Sequence, residues 1–71
     1  MPKLKALTPK QIIQKLKELG FVEDHQRGSH KIFYNVTTGK RAVVPFHARD
    51  LPKGTLLAII REAGLDKKDF C

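Results

Sequence analysis

The sequence predicts a small α+β fold in the order α-β-β-β-α: a three-stranded antiparallel sheet covered on one face by two helices. Three observations carry this. Two stretches repeat apolar residues at helical spacing, and a glycine closes each. Between them lie three short runs rich in β-branched and aromatic residues, separated by glycine-bearing turns. The chain has only 71 residues, so one thin core must serve all the elements. Three strands leave an apolar face in need of cover, and the two helices are the only material for it. Both are therefore expected on the same side, with the opposite face of the sheet left to solvent.

Residues 1–71 are read as one domain in which residues 1–7, with Lys3 and Lys5 and no regular period, form a short arm. Thr8-Pro9-Lys10-Gln11 marks a helix start: Thr8 caps, Pro9 suits the first helical position and Gln11 completes a capping box. Ile12, Ile13, Leu16 and Leu19 share one stripe, and Gly20 ends the helix with Phe21 folding back onto Leu16. Phe21 to Gln26 is a polar, edge-like strand. Arg27 to Ser29 turn the chain, His30 to Val36 is a second strand, and Thr37 to Lys40 is a hairpin loop. Arg41 to Phe46 is the third strand, closed by Pro45. A second helix starts between Leu51 and Thr55 and runs to Ala63, with Leu56, Leu57, Ile59, Ile60 and Ala63 as its apolar face and Gly64 as its stop. Asp66 can cap one more turn through Asp69 and Phe70. Double-stranded-RNA-binding domains share this layout, which alone says little about activity.

Charge narrows the function. Fourteen Lys and Arg against seven Asp and Glu leave a net charge of +7 and a pI near 9.9. Such an excess points first to nucleic acid, then to an acidic protein or lipid headgroups, with a solvated lysine-rich surface as the plain alternative. A body this small offers a shallow site, better suited to a polymer segment than to an enclosed metabolite. Cys71 is the only cysteine, which excludes an internal disulfide and fits a reducing cytoplasm. No apolar run reaches the length of a membrane span, and the first residues do not read as a signal peptide. The three histidines and Cys71 match no ligand spacing, so no metal or cofactor is expected.

Gly28-Ser29-His30 is the feature that carries chemistry. A small-residue turn delivers an imidazole to the start of a strand, flanked by Arg27 and Lys31. Such a group exchanges protons near neutral pH, and cationic neighbours hold an anion beside it. Gly28 and Ser29 leave room for a phosphate against the backbone, and Ser29 adds a hydroxyl donor. Arg27 can grip phosphate in a two-pronged geometry. Lys53 lies near the start of the second helix, where free N–H groups favour anions; ordinary helix initiation, with Gly54 small so that the helix packs close to the sheet, is the preferred reading of this stretch and is compatible with a phosphate grip. His47 is a second proton-transfer group, a phosphate contact or a structural hydrogen-bonding residue. His25 has no argument beyond exposure. If Tyr34 shares the face of His30 it can stack on a base; if it points inward it is core.

Gly20-Phe21, Gln26-Arg27-Gly28-Ser29-His30, Val44-Pro45-Phe46-His47, Leu51-Pro52-Lys53-Gly54-Thr55-Leu56 and Ala63-Gly64-Leu65 together resemble the HicA toxin family of mRNA interferases. The likeness is collinear from about Met1 to Phe70. It implies a double-stranded-RNA-binding-domain-like toxin of a type II toxin-antitoxin system that cleaves mRNA without the ribosome and inhibits translation. It also implies neutralisation by a HicB-like antitoxin, and it places the family's catalytic histidine on His30. Family members often continue a few residues past the position of Phe70, which leaves the last turn here expected to be frayed. The resulting expectation is a metal-independent endoribonuclease, monomeric when free. It uses His30 as acid/base and binds single-stranded mRNA through Arg27, Gly28, Ser29, Lys31, His47 and Lys53. The rival is a non-catalytic RNA-binding module of the same fold, which explains the charge but not the Gly-Ser-His triplet.

Overall fold

A computed structural model describes residues 6–46 and 49–70. The elements run α1 (Pro9–Glu18), β1 (Val22–Arg27), β2 (His30–Tyr34), β3 (Arg41–Pro45), α2 (Lys53–Glu62) and a closing 3-10 turn, Lys67–Phe70. The predicted order is the observed one. Helix α1 starts as its sequence dictates. The Thr8 hydroxyl accepts from the Gln11 amide at 3.2 Å, and the Gln11 side chain accepts from the Thr8 amide at 2.9 Å. Its end is equally specific. The Phe21 amide donates to the Leu16 carbonyl and the Gly20 amide to that of Lys17, a Schellman motif that requires the left-handed φ of +96° at Gly20. Helix α2 ends the same way, with the Leu65 amide on Ile60 and the Gly64 amide on Arg61.

The sheet has the order β1-β2-β3 and is antiparallel throughout. Directly opposed residues of antiparallel strands share a face, so the register sorts the side chains. One face carries Glu23–Phe33–Ala42 and Gln26–Lys31–Val44. Phe33, Ala42 and Val44 are fully buried there against Ile12 and Leu16 of α1 and Leu56, Ile59 and Ile60 of α2. Both helices therefore cover this one face. The other face carries three rows: Arg27–His30–Pro45, His25–Ile32–Val43 and Val22–Tyr34–Arg41.

Several boundaries differ from expectation: β1 runs Val22–Arg27 rather than Phe21 to Gln26, so that only Gly28 and Ser29 turn the chain, and β3 ends at Pro45 rather than Phe46. Strand β2 ends at Tyr34 rather than Val36 because Asn35 is buried as a polar anchor. Its Oδ1 accepts from the Thr37 and Thr38 amides and its Nδ2 donates to the Leu19 carbonyl. Val36 is left exposed in the loop. The last turn is not frayed: the Asp66 and Asp69 side chains cap it, and Phe70 is buried in the core. Leu7, assigned to the arm, is part of the fold, packing on the core and accepting from the Leu51 amide. Residues 1–5 of the arm lie outside the described residues, as do His47, Ala48 and Cys71.

Candidate functional site

The turn between β1 and β2 is two residues long, Gly28 and Ser29. Its first residue has φ +58° and its second has negative φ, the signature of a II′ hairpin, which puts glycine at the first position. The tightness of this turn decides where His30 sits. It opposes Arg27 directly on β1 and Pro45 on β3, at the end of the central strand. The turn is pinned from both sides: the Gln26 side chain donates to the Gly28 carbonyl at 3.0 Å, and the Phe46 amide donates to the Ser29 carbonyl. His30 itself is exposed on the helix-free face.

Arg27, Gly28, Ser29 and His30 are thus brought together. Lys31 is not on their face. It is half-buried on the helix side, its ammonium 3.8 Å from Glu23 Oε1 and 4.6 Å from the centre of the Phe46 ring. Lys53 opens α2 and is exposed; residues 46–52 connect it to the His30 end of β3. No side chain caps the start of α2, where Pro52 occupies the cap. His47 falls outside the described residues.

Register also settles Tyr34. It lies on the face of His30, half-buried, in a row with Arg41. Ile32, only 9% exposed although no helix covers it, forms an apolar floor with the half-buried Val43 and Pro45. Arg27, His30, His25 and Arg41 rise around that floor. The surface offers apolar area for planar rings and a rim of guanidinium and imidazole groups for phosphates, in an open sheet rather than a pocket. The described grooves, lined by Leu57, Ile60, Arg61 and Leu65 or by Leu7, Gln11 and Lys15, lie on the helix layer instead.

Two residues of this face, His25 and Arg41, carry no role in the sequence reading. The signal for His25 was present: a two-residue turn opposes positions 27 and 30, and so positions 25 and 32. Reading the turn as Arg27 to Ser29 hides that register. His25 Nδ1 lies 2.8 Å from Asp24 Oδ2. Among the described residues no three His, Cys, Asp or Glu side chains group as metal ligands.

The sequence model of the HicA toxin family, a toxin of bacterial toxin-antitoxin systems, matches residues 9–65. The chain belongs to the HicA toxin family. The match begins at the first residue of α1 and ends just past α2, so it spans both helices and the whole sheet. HicA toxins generally have ribonuclease activity, and membership in a toxin-antitoxin system implies a cognate antitoxin. A search of curated proteins finds no match. Among the described residues no helix of this HicA chain is long and apolar enough to cross a membrane.

Proposed function

We propose that this HicA toxin is a metal-independent, ribosome-independent endoribonuclease that cleaves mRNA with His30 as its proton-transfer residue, and that a HicB-like antitoxin silences it by covering the His30 face. The observation that carries the reading is an exposed histidine at the end of the central strand, in register with an arginine, on the face that no described helix covers. Cleavage without metal uses the ribose 2′-hydroxyl as nucleophile. Its oxygen bonds to phosphorus as its proton passes to a base. The phosphorus–5′-oxygen bond then breaks, and the departing oxygen takes a proton, leaving a 2′,3′-cyclic phosphate and a 5′-hydroxyl. His30 serves one of these proton transfers, a contribution of roughly 10²–10⁴ in rate.

Arg27 binds the phosphate and stabilises the charge that builds on its oxygens. Gly28 and Ser29 let the backbone approach closely, and Ser29 donates its hydroxyl. Tyr34 stacks on a neighbouring base, with the apolar floor of Ile32 and Val43 beneath the strand. Lys31 contributes field from the far face, while Lys53 and His47 grip flanking phosphates.

His30→Ala is expected to cut cleavage of labelled mRNA at least 100-fold, with an unchanged circular dichroism spectrum and nearly unchanged RNA affinity. Chelator is expected to leave wild-type cleavage intact. Shifted but uncut RNA with the wild-type protein would support the non-catalytic RNA-binding module instead. Equal rates for wild type and His30→Ala would reject His30 as the reacting group.

A further inference from the structure

We infer that His25, held by Asp24, is the second proton-transfer residue of this face, delivering the proton to the departing 5′-oxygen while His30 takes the one from the 2′-hydroxyl. The inference rests on the nuclease reading above and assigns the end of the reaction that His30 leaves open.

Register provides the geometry. Arg27 opposes His30 and His25 opposes Ile32, so the two histidines are diagonal neighbours on the solvent face of β1 and β2. Diagonal pairs in an antiparallel sheet stand about 7–8 Å apart at their Cα atoms. In-line displacement puts the entering and leaving oxygens on opposite sides of phosphorus. Two imidazoles so spaced, each reaching a hydrogen bond of about 2.8 Å, can bracket one phosphodiester. Arg27, two positions from His25 on the same strand and facing His30, lies where the phosphate would sit.

The local structure of β1 is irregular at this point. The ladder slips between Glu23 and His25, leaving Asp24 without a partner. Such a bulge re-aims side chains, and here it accompanies the 2.8 Å contact of Asp24 Oδ2 with His25 Nδ1. An ionised carboxylate only accepts, so the Nδ1 hydrogen points to Asp24. Nε2 is left as the working atom, and among the described residues it has no protein partner. Both side chains are about half exposed, 48% and 59%, and a pair so open to water adds little to stability. Orienting an imidazole toward a bound ligand is the better account of it.

The two imidazoles have different neighbours. His25 has a carboxylate against it, whereas His30 faces the Arg27 guanidinium. Among the paired strand residues of this face, the remaining titratable or charged groups are Tyr34 and Arg41, in the far row; Ile32 and Val43, in the row of His25, carry none.

The test uses the full chain and an RNA oligonucleotide that the toxin cuts at one mapped site. A second version carries sulfur in place of the 5′-oxygen at that bond; a thiolate departs without needing a proton. His25→Ala is expected to slow cleavage of the oxygen substrate about 100-fold yet cut the sulfur substrate within a fewfold of wild type, with unchanged RNA affinity. His30→Ala stays slow on both. Asp24→Asn slows the oxygen substrate about tenfold and also spares the sulfur one, as expected of a positioning residue. Wild-type speed of His25→Ala on the oxygen substrate, or equal losses on both substrates, overturns the inference alone. A wild-type protein that cuts neither RNA overturns the nuclease reading as well.

Discussion

A histidine at the first position of a central strand has three things holding it: a two-residue turn before it, an arginine across from it and a proline beyond. Gly28 takes a φ of +58° with open space where a Cβ would stand, so a side chain there meets backbone strain rather than a clash. The neighbours of His30 differ sharply from one another. Arg27 shares its face, whereas the Lys31 ammonium is engaged by Glu23 and Phe46 on the other side. Arg27→Ala is therefore expected to weaken RNA binding about tenfold and Lys31→Ala less, as read by filter binding at low salt. In the sequence these two cations flank the same triplet and look equivalent. Strand alternation separates them, because odd and even positions of β2 point to opposite faces.

At the scale of elements, local chemistry set most boundaries. The capping box of α1 and the glycine stops of both helices stand where their residues are, because caps are satisfied by groups within a few positions. Asn35 is the exception. It ties the β2–β3 loop to the end of α1 by accepting from the Thr37 and Thr38 amides and donating to the Leu19 carbonyl. Asn35→Ala removes all three bonds from a buried position and should lower the unfolding free energy by about 2–3 kcal/mol, measured by urea denaturation. No local pattern announces this contact, because Leu19 is 16 positions away. The apolar pattern of the sequence accordingly carries β2 two residues too far, to Val36 instead of Tyr34.

At the scale of the molecule, a net charge of +7 belongs to a two-layer body whose described helices both lie on one face of the sheet. Single-strand binding that neutralises about four phosphates should lose about 50-fold in affinity between 50 and 200 mM salt through counterion release. A salt titration of a labelled oligonucleotide reads this slope, and a flat response would argue against phosphate contacts. Among the described strands β1 and β3 are the outer ones, and β1 carries a bulge and exposed charges, features that blunt an edge.

Periodicity, caps and turn residues were enough to specify the order of elements, the closure of both helices and the histidine at the turn, since each depends on residues close together along the chain. Which side chains share a face with His30 depended instead on cross-strand register, and that register follows from the length of one turn and from one bulge. Tyr34, Arg41 and His25 share the His30 face, and Lys31 lies on the other, only once the strands are laid side by side. Pairing across a sheet is a relation between distant residues, and no window of sequence contains it.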